Sequence, residues 1–164
     1  EINVFGVEYG AFWEKFRLKY DILVVRNREA LNWLFFGTPQ LRSQRKVLEI
    51  RRKEELIGYV AVKEVARQVG ARRHIRYYEV FDAALLEDNR ELFLDLLDEL
   101  KSFAYKNRIS FIKIPPLFSS WRSIMRQKGF REMIKESRFV YKGLLPLQNL
   151  NSWLTPVDGD RGFF

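Results

Sequence analysis

The acidic residues near the C-terminus are the first candidates for chemistry. The stretch "NSWLTPVDGDRGFF" places Asp158 and Asp160 on either side of a glycine. A hard cation usually gathers about six or more oxygen ligands, so two neighbouring carboxylates are a weak metal signal and no metal is expected. Pro156 and Gly159 favour a tight turn instead. Trp153, which precedes the turn outside any predicted helix or strand, is a candidate ligand contact.

Cysteine and histidine, the usual zinc ligands, are almost absent from the chain. The chain has no cysteine, and His74 is its one histidine, so disulfides and thiolate or histidine-rich zinc sites are excluded. The flanking "ARR" and "IRYY" favour an exposed loop edge for His74 over a catalytic base. No apolar run approaches the roughly 20 residues that span a bilayer, and the start does not resemble a signal peptide. We expect a cytoplasmic protein without a transmembrane segment.

The net charge of +8 is unevenly distributed. Residues 81–100 carry seven acids and one base, so the remainder of the chain is more basic than the total suggests. A basic surface can attract nucleic acid, for example tRNA, or an anionic cofactor. A solvated basic surface without a partner is the alternative. With 164 residues, 47% of them hydrophobic, we expect one domain over residues 1–164. The non-methionine start predicts that the segment comes from a longer protein.

Hydrophobic spacing predicts an α/β chain. Helical spacing is predicted over residues 9–20, 27–39, 87–108 and 119–130. Strand patterns are predicted over residues 21–26, 45–52, 55–66, 74–85, 109–114 and 138–147. Asn27 is a predicted helix cap and Gly129 a predicted helix stop.

This element order resembles the GNAT (N-acetyltransferase-like) superfamily. The segments "IMRQKGFREM" and "REALNWLFFGTP" add to the resemblance, and the latter, with the terminal "WLTPVDGD", is similar to a branch associated with polysaccharide and cell-envelope proteins. The resemblance covers nearly the whole chain. It implies a mixed central sheet, with an antiparallel meander and one parallel crossover, flanked by helices. It also implies an acyl-CoA-dependent N-acyltransferase that acts on a small polar or sugar-linked amine.

The resemblance assigns candidate site residues. GNAT enzymes bind acetyl-CoA or another acyl-CoA across a splayed pair of parallel strands, with the pyrophosphate on a helix N-terminus. The cofactor contacts implied here are Phe81, Ala83, Asn89 and Arg90. In the similar branch the tail lies near the cleft, so substrate contact by Asp158 or Asp160 is an alternative to the turn.

A general base is expected on the third strand of the meander, where Glu79 and Asp82 are the candidates. Many GNAT enzymes have a tyrosine acid at the position of Met125, which cannot donate a proton. Tyr141 on the last predicted strand is the substitute. For Glu79, Asp82 and Tyr141, routine structural roles are the favoured alternative.

The predicted cofactor loop departs from the family pattern. "ALLEDNREL" has no glycine and carries Glu87 and Asp88, which repel a pyrophosphate. Asp88 or Asn89 is expected to cap the helix by itself. The basic stretch 71–76 is a candidate for compensating this loss. These departures favour a second hypothesis, a non-catalytic GNAT-fold binding or partner module. It would be the C-terminal half of a two-domain protein with a second GNAT-like domain.

Overall fold

The predicted α/β class is confirmed by the order of helices and strands. The computed structural model describes residues 1–69, 73–87, 89–114, 122–131 and 152–153. The helices are α1 Glu8–Arg17, α2 Arg28–Phe36, α3 Pro39–Gln44, α4 Arg90–Lys106 and α5 Arg122–Gln127. The strands are β1 Ile22–Leu23, β2 Arg45–Arg52, β3 Glu55–Val69, β4 Arg73–Leu85, β5 Phe111–Lys113 and β6 Ser152–Trp153.

The central sheet is mixed, as predicted. Its order is β2-β3-β4-β5, with antiparallel pairing from β2 to β4 and parallel pairing between β4 and β5. Helix α4 makes the crossover between the two parallel strands. Strands β1 and β6 form a separate parallel pair.

Hydrophobic clusters cover both faces of the sheet. Side chains alternate along a strand, so Val60 and Val62 pack towards α4 while Tyr59 and Ala61 pack towards α1 and α2. The α4 face uses Leu92, Phe93, Leu96, Leu97 and Leu100. The other face is rich in aromatic rings, among them Phe5, Tyr9, Phe12, Phe16 and Phe35.

Local signals account for most helix boundaries. Asn27 caps α2, as predicted, by accepting a hydrogen bond from the Ala30 amide at 2.9 Å. Gly129 follows α5 with φ of 84°, a left-handed conformation that favours glycine at a helix end. The predicted stop is confirmed.

Several predicted bounds were wrong. The helix predicted over 27–39 ends at Phe36, and a separate α3 begins at Pro39, with Thr38 accepting from the Leu41 amide at 3.3 Å. Proline lacks an amide hydrogen, so it suits the first turn of a new helix better than the interior of a longer one. The strand predicted over 21–26 is limited to β1. The strand predicted over 138–147 lies outside the described residues.

The structure also bears on the membrane prediction. Among the helices within the described ranges, none is long and apolar enough to cross a bilayer.

Candidate active site

Strands β4 and β5 pair over only three residues each. Their register runs from Tyr77 with Phe111 to Glu79 with Lys113, whereas β4 continues to Leu85. Within the described part of the chain, the C-terminal half of β4 therefore has β3 as its one neighbouring strand. Backbone donors and acceptors of a strand alternate between its two sides. The side turned away from β3 can accept another extended group there.

A β-bulge in β4 follows its last described pair with β5. Ala61 pairs with Asp82 and Val62 with Val80, which leaves Phe81 as the extra residue of β4. Phe81 packs in the hydrophobic cluster on the side of α1 and α2, and Asp82 contacts Tyr59 of the same cluster. The Phe81 ring lies 5.3 Å from the Arg45 guanidinium. A bulge bends and twists its strand, which turns the following residues of β4 relative to β5.

Asp82 belongs to a buried polar network. Tyr59 Oη donates to Asp82 Oδ2 at 2.7 Å, and Arg26 Nε lies 3.5 Å from the same oxygen. All three side chains are buried. Burial, together with the nearby Asp82 carboxylate, raises the pKa of Tyr59 well above its usual value. The same two causes raise the pKa of the adjacent Tyr9. Arg26, Tyr59 and Tyr9 were not candidates in the sequence, because no local pattern links them to Asp82.

Glu79, the other base candidate, lies at the last described pair of β4 and β5. Its side chain is half-buried and accepts a hydrogen bond from Lys113 Nζ. Glu79 also lines a groove together with Arg45 and Lys63. It is therefore more accessible to a ligand than the fully buried Asp82.

The start of α4 is closed by its own cap. Asn89 Oδ1 accepts from the Glu91 amide at 2.8 Å and from the Leu92 amide at 3.4 Å. The predicted cap is thus confirmed at Asn89, while Asp88 lies outside the described residues. Arg90 Nη2 donates to Gln127 Oε1 at 2.9 Å and joins α4 to α5.

Glu87 is also engaged within the chain. Arg52 Nη1 and Nη2 donate to its two carboxylate oxygens at 2.8 and 2.9 Å. This bidentate pair offsets part of the repulsion that Glu87 would exert on an anion at the start of α4.

Comparison with known proteins gives a structural answer only. No protein-family model matches the sequence, and no match is found among curated proteins. The ribosomal-protein-alanine N-acetyltransferase of Brucella melitensis biovar Abortus 2308 matches in structure at 16% identity, covering 83% of this chain and 91% of that one, with a TM-score of 0.55. An aminoglycoside 6'-N-acetyltransferase of Acinetobacter haemolyticus matches at 12% identity, covering 84% and 95%, also at 0.55. A Trypanosoma brucei acetyltransferase matches at 11% identity, covering 82% and 93%, at 0.58. The chain has the GNAT fold.

Residues 73–76, the described part of the basic stretch 71–76, lie far from the start of α4. Arg73 lies at the opposite end of β4 from Leu85. At about 3.3 Å per residue, twelve residues of strand separate the two ends by about 40 Å. Arg76 instead pairs with Glu64 at 2.8 Å. The expectation that this stretch compensates for the missing glycines was wrong. His74 is exposed, as predicted, but it lies within β4 rather than in a loop.

Some of the predicted site residues lie close together in the sequence of β4 and α4, and others lie outside the described part of the chain. Glu79, Phe81, Asp82 and Ala83 lie on β4, and Asn89 and Arg90 follow at the start of α4. Ala83 is buried against the α4 side, and Met125 packs against the same cluster. Trp153 is described only as part of β6. Tyr141, Asp158 and Asp160 lie outside the described residues. No group of three His, Asp or Glu side chains suited to a metal ion occurs in the described part of the chain.

Proposed function

We propose that this chain is an acyl-CoA-dependent N-acyltransferase that acts on a small polar amine. The observation that carries the proposal is that the described pairing of β4 with β5 ends at Glu79 and Lys113, beside the Phe81 bulge, within a GNAT fold. We call the edge of β4 from Phe81 to Leu85, with the start of α4, the cleft. It would offer the edge of a strand to an extended molecule, which is what a pantetheine arm requires. The structural matches to acetyltransferases support the same reaction class.

The residues of the cleft fit an acyl-CoA in part. The β4 backbone around Phe81 and Ala83 would hold the pantetheine arm, and Asn89 and Arg90 would contact the phosphates. The Asn89 cap fits less well, because its side chain already occupies the amides of Glu91 and Leu92. When bound, acyl-CoA supplies a thioester, whose C–S bond breaks as the acyl carbon bonds to the amine nitrogen.

Glu79 is the proposed general base. Its carboxylate is half-buried, lines a groove and belongs to the last described pair of β4 and β5, so it can reach an amine from the groove. Asp82 is the weaker choice, because its carboxylate is buried and held by Tyr59 and Arg26. The proton for the leaving thiolate would come from Tyr141. Contacts of Trp153, Asp158 and Asp160 with the acceptor stay predictions.

A finer proposal concerns the acceptor. The similarity of "LNWLFFGTP" and "WLTPVDGD" to the polysaccharide and cell-envelope branch supports a sugar-linked amine. A cytoplasmic location, a single domain over residues 1–164 and binding of tRNA or another polyanion stay predictions as well.

Isothermal titration with acetyl-CoA tests the proposal. We expect binding at millimolar concentration or below, and its absence would remove the coenzyme role. Glu79→Gln should keep this affinity while lowering acetyl transfer to a panel of amines. Glu99→Gln is the matched control, since Glu99 is exposed on α4 and does not line that groove. Equal loss of transfer in both variants would contradict the role of Glu79.

The Asn89 cap favours a second candidate function, a non-catalytic GNAT-fold module. In this alternative the amides at the start of α4 are satisfied within the chain and need no anion. The missing glycines and Met125 are consistent with it. A second, glycine-intact GNAT segment in the full-length gene, together with no acetyl-CoA binding to this chain, would support a partner role over catalysis.

A further inference from the structure

A groove of about 600 Å³ lies between α3 and the sheet face formed by β3 and β4. We call it the α3 groove. Its volume lies in the range of small-molecule sites. Its lining includes Gln40, Gln44, Arg45, Lys63, Tyr77 and Glu79. Glu64 also lines it, and its carboxylate is paired with Arg76.

Charged side chains form a row across this groove. Arg45 pairs in register with Lys63, Lys63 with Glu79, and Glu79 with Lys113. Residues at paired positions of neighbouring strands share a face of the sheet. The row thus contains three cations and one carboxylate. Arg45, Lys63 and Glu79 line the groove, whereas Lys113 is not among its lining residues and contacts Glu79 directly. Its surplus of positive charge attracts an anionic group.

Two stacked aromatic rings lie beside the charged row. Tyr77 precedes Glu79 by two residues, so it lies on the same face of β4. The Phe111 ring stacks on Tyr77 with centroids 4.6 Å apart and planes 8° from parallel. Stacked rings present a flat apolar surface that suits a ligand ring. On the other side, the amides of Gln40 and Gln44 can both donate and accept hydrogen bonds.

Glu79 lines the α3 groove and lies two residues before Phe81 on β4. The pair of Glu79 and Lys113 is the last described pair of β4 and β5, and the Phe81 bulge follows it. A ligand in the groove can therefore place an amine beside Glu79 while an anionic group lies near Lys63.

We infer that the α3 groove holds the acceptor, and that the acceptor is a small amine carrying both a ring and an anionic group. This inference rests on the proposed acyl transfer. The ring would pack against Tyr77, and the anion would be held by the cations of the row. A sugar ring and an aryl ring share this chemistry, and the experiment distinguishes them.

Two matched pairs of amines test the inference by calorimetric titration without coenzyme. Glucosamine 6-phosphate differs from glucosamine, and phenylalanine from phenethylamine, by one anionic group. We expect the anionic member of at least one pair to bind about tenfold more tightly, a difference of about 1.4 kcal/mol. The pair that responds identifies the ring. Equal affinity within both pairs, or no binding by any of the four compounds, would overturn the inference.

Variants locate the site. Lys63→Gln should remove about tenfold of the preference for the anionic amine. Lys106→Gln, at an exposed position in the last turn of α4, should leave it unchanged. Unchanged preference in Lys63→Gln would also overturn the inference.

Acetyl-CoA is titrated separately into the same proteins. If Lys63→Gln and the parent chain bind acetyl-CoA equally and neither prefers the anionic amine, the inference alone fails. If the anion preference holds but acetyl-CoA does not bind, the proposed transfer fails and the groove is a ligand site without that reaction.

Discussion

Tyr59 Oη donates a 2.7 Å hydrogen bond to Asp82 Oδ2 at a site where both side chains are buried. Arg26 provides the countercharge, with Nε 3.5 Å from the same oxygen. Through Arg26, the network connects the segment between β1 and α2 to the middle of the sheet, directly beside the Phe81 bulge. A buried carboxylate is tolerated only with such partners, so the network couples the bulge to the stability of the fold.

Arg26→Met should destabilise the chain strongly. It leaves the Asp82 carboxylate buried without its countercharge, for which the expected loss is about 3–5 kcal/mol of unfolding free energy. Urea unfolding measures the change. Arg52→Met is the matched control, because it breaks the exposed ion pair with Glu87 and should have a much smaller effect. Similar losses of unfolding free energy in the two variants would show that the buried ion pair stabilises the fold no more than the exposed one.

Alkaline pH should destabilise the fold through its buried tyrosines. Burial raises the pKa of Tyr78 from 10 to about 12, with a smaller contribution from Glu64. Between these values the unfolded chain has lost a proton that the folded chain retains. Unfolding free energy must therefore fall as pH rises from about 10 to about 12.

Tyr78→Phe separates this effect from others. The ring still packs on Phe103, but the titrating hydroxyl is gone. Unfolding free energy of the variant should decline less steeply over the same pH window, while Tyr9 and Tyr59 still contribute. Parallel pH profiles for the variant and the parent chain would refute the assignment.

Asn89→Ala tests whether the start of α4 is a phosphate site or only a capped helix end. Loss of the cap should cost about 0.5–2 kcal/mol of unfolding free energy. Asn27→Ala, which removes the cap of α2, should cost a similar amount and serves as the control. If the cleft binds acyl-CoA, only Asn89→Ala should tighten acetyl-CoA affinity, because it frees the amides of Glu91 and Leu92. Equal coenzyme affinity in both variants would argue against a phosphate site there.

Gly58 and Gly10 should respond oppositely to alanine. A Cβ on Gly58 would lie 2.5 Å from Leu85 Cδ2 and 2.7 Å from the Ala84 carbonyl oxygen. Gly58→Ala should therefore cost about 1–3 kcal/mol, since the β4 backbone cannot move aside. A Cβ added to Gly10 in α1 would meet no atom within 4 Å beyond its chain neighbours and its own helix backbone. Gly10→Ala should therefore stabilise the chain by about 0.5 kcal/mol. Chemical denaturation of both variants checks the contrast, which would be lost if Gly58→Ala were neutral.

Helices and their ends were readable from the sequence where the deciding contacts are local. The buried face of α1 comes from Tyr9, Phe12 and Phe16, whose spacing matches a helical turn. Asn27 and Asn89 bond to amides two or three residues ahead, so their caps follow from neighbouring residues alone. The mixed sheet was implied by the resemblance of the element order to the GNAT superfamily, and its meander is formed by consecutive segments.

The site was decided by contacts between distant parts of the chain. Arg26 reaches Asp82, Arg52 reaches Glu87 and Lys113 reaches Glu79, and in each case the partners are more than 30 residues apart. The bulge at Phe81 depends on the pairing register between β3 and β4, and β1 exists as a strand because β6 pairs with it. Burial and pairing arise only when the layers pack. Only the packed structure shows that Asp82 is buried and that Glu79 lines a groove. In the sequence the two carboxylates were equal candidates.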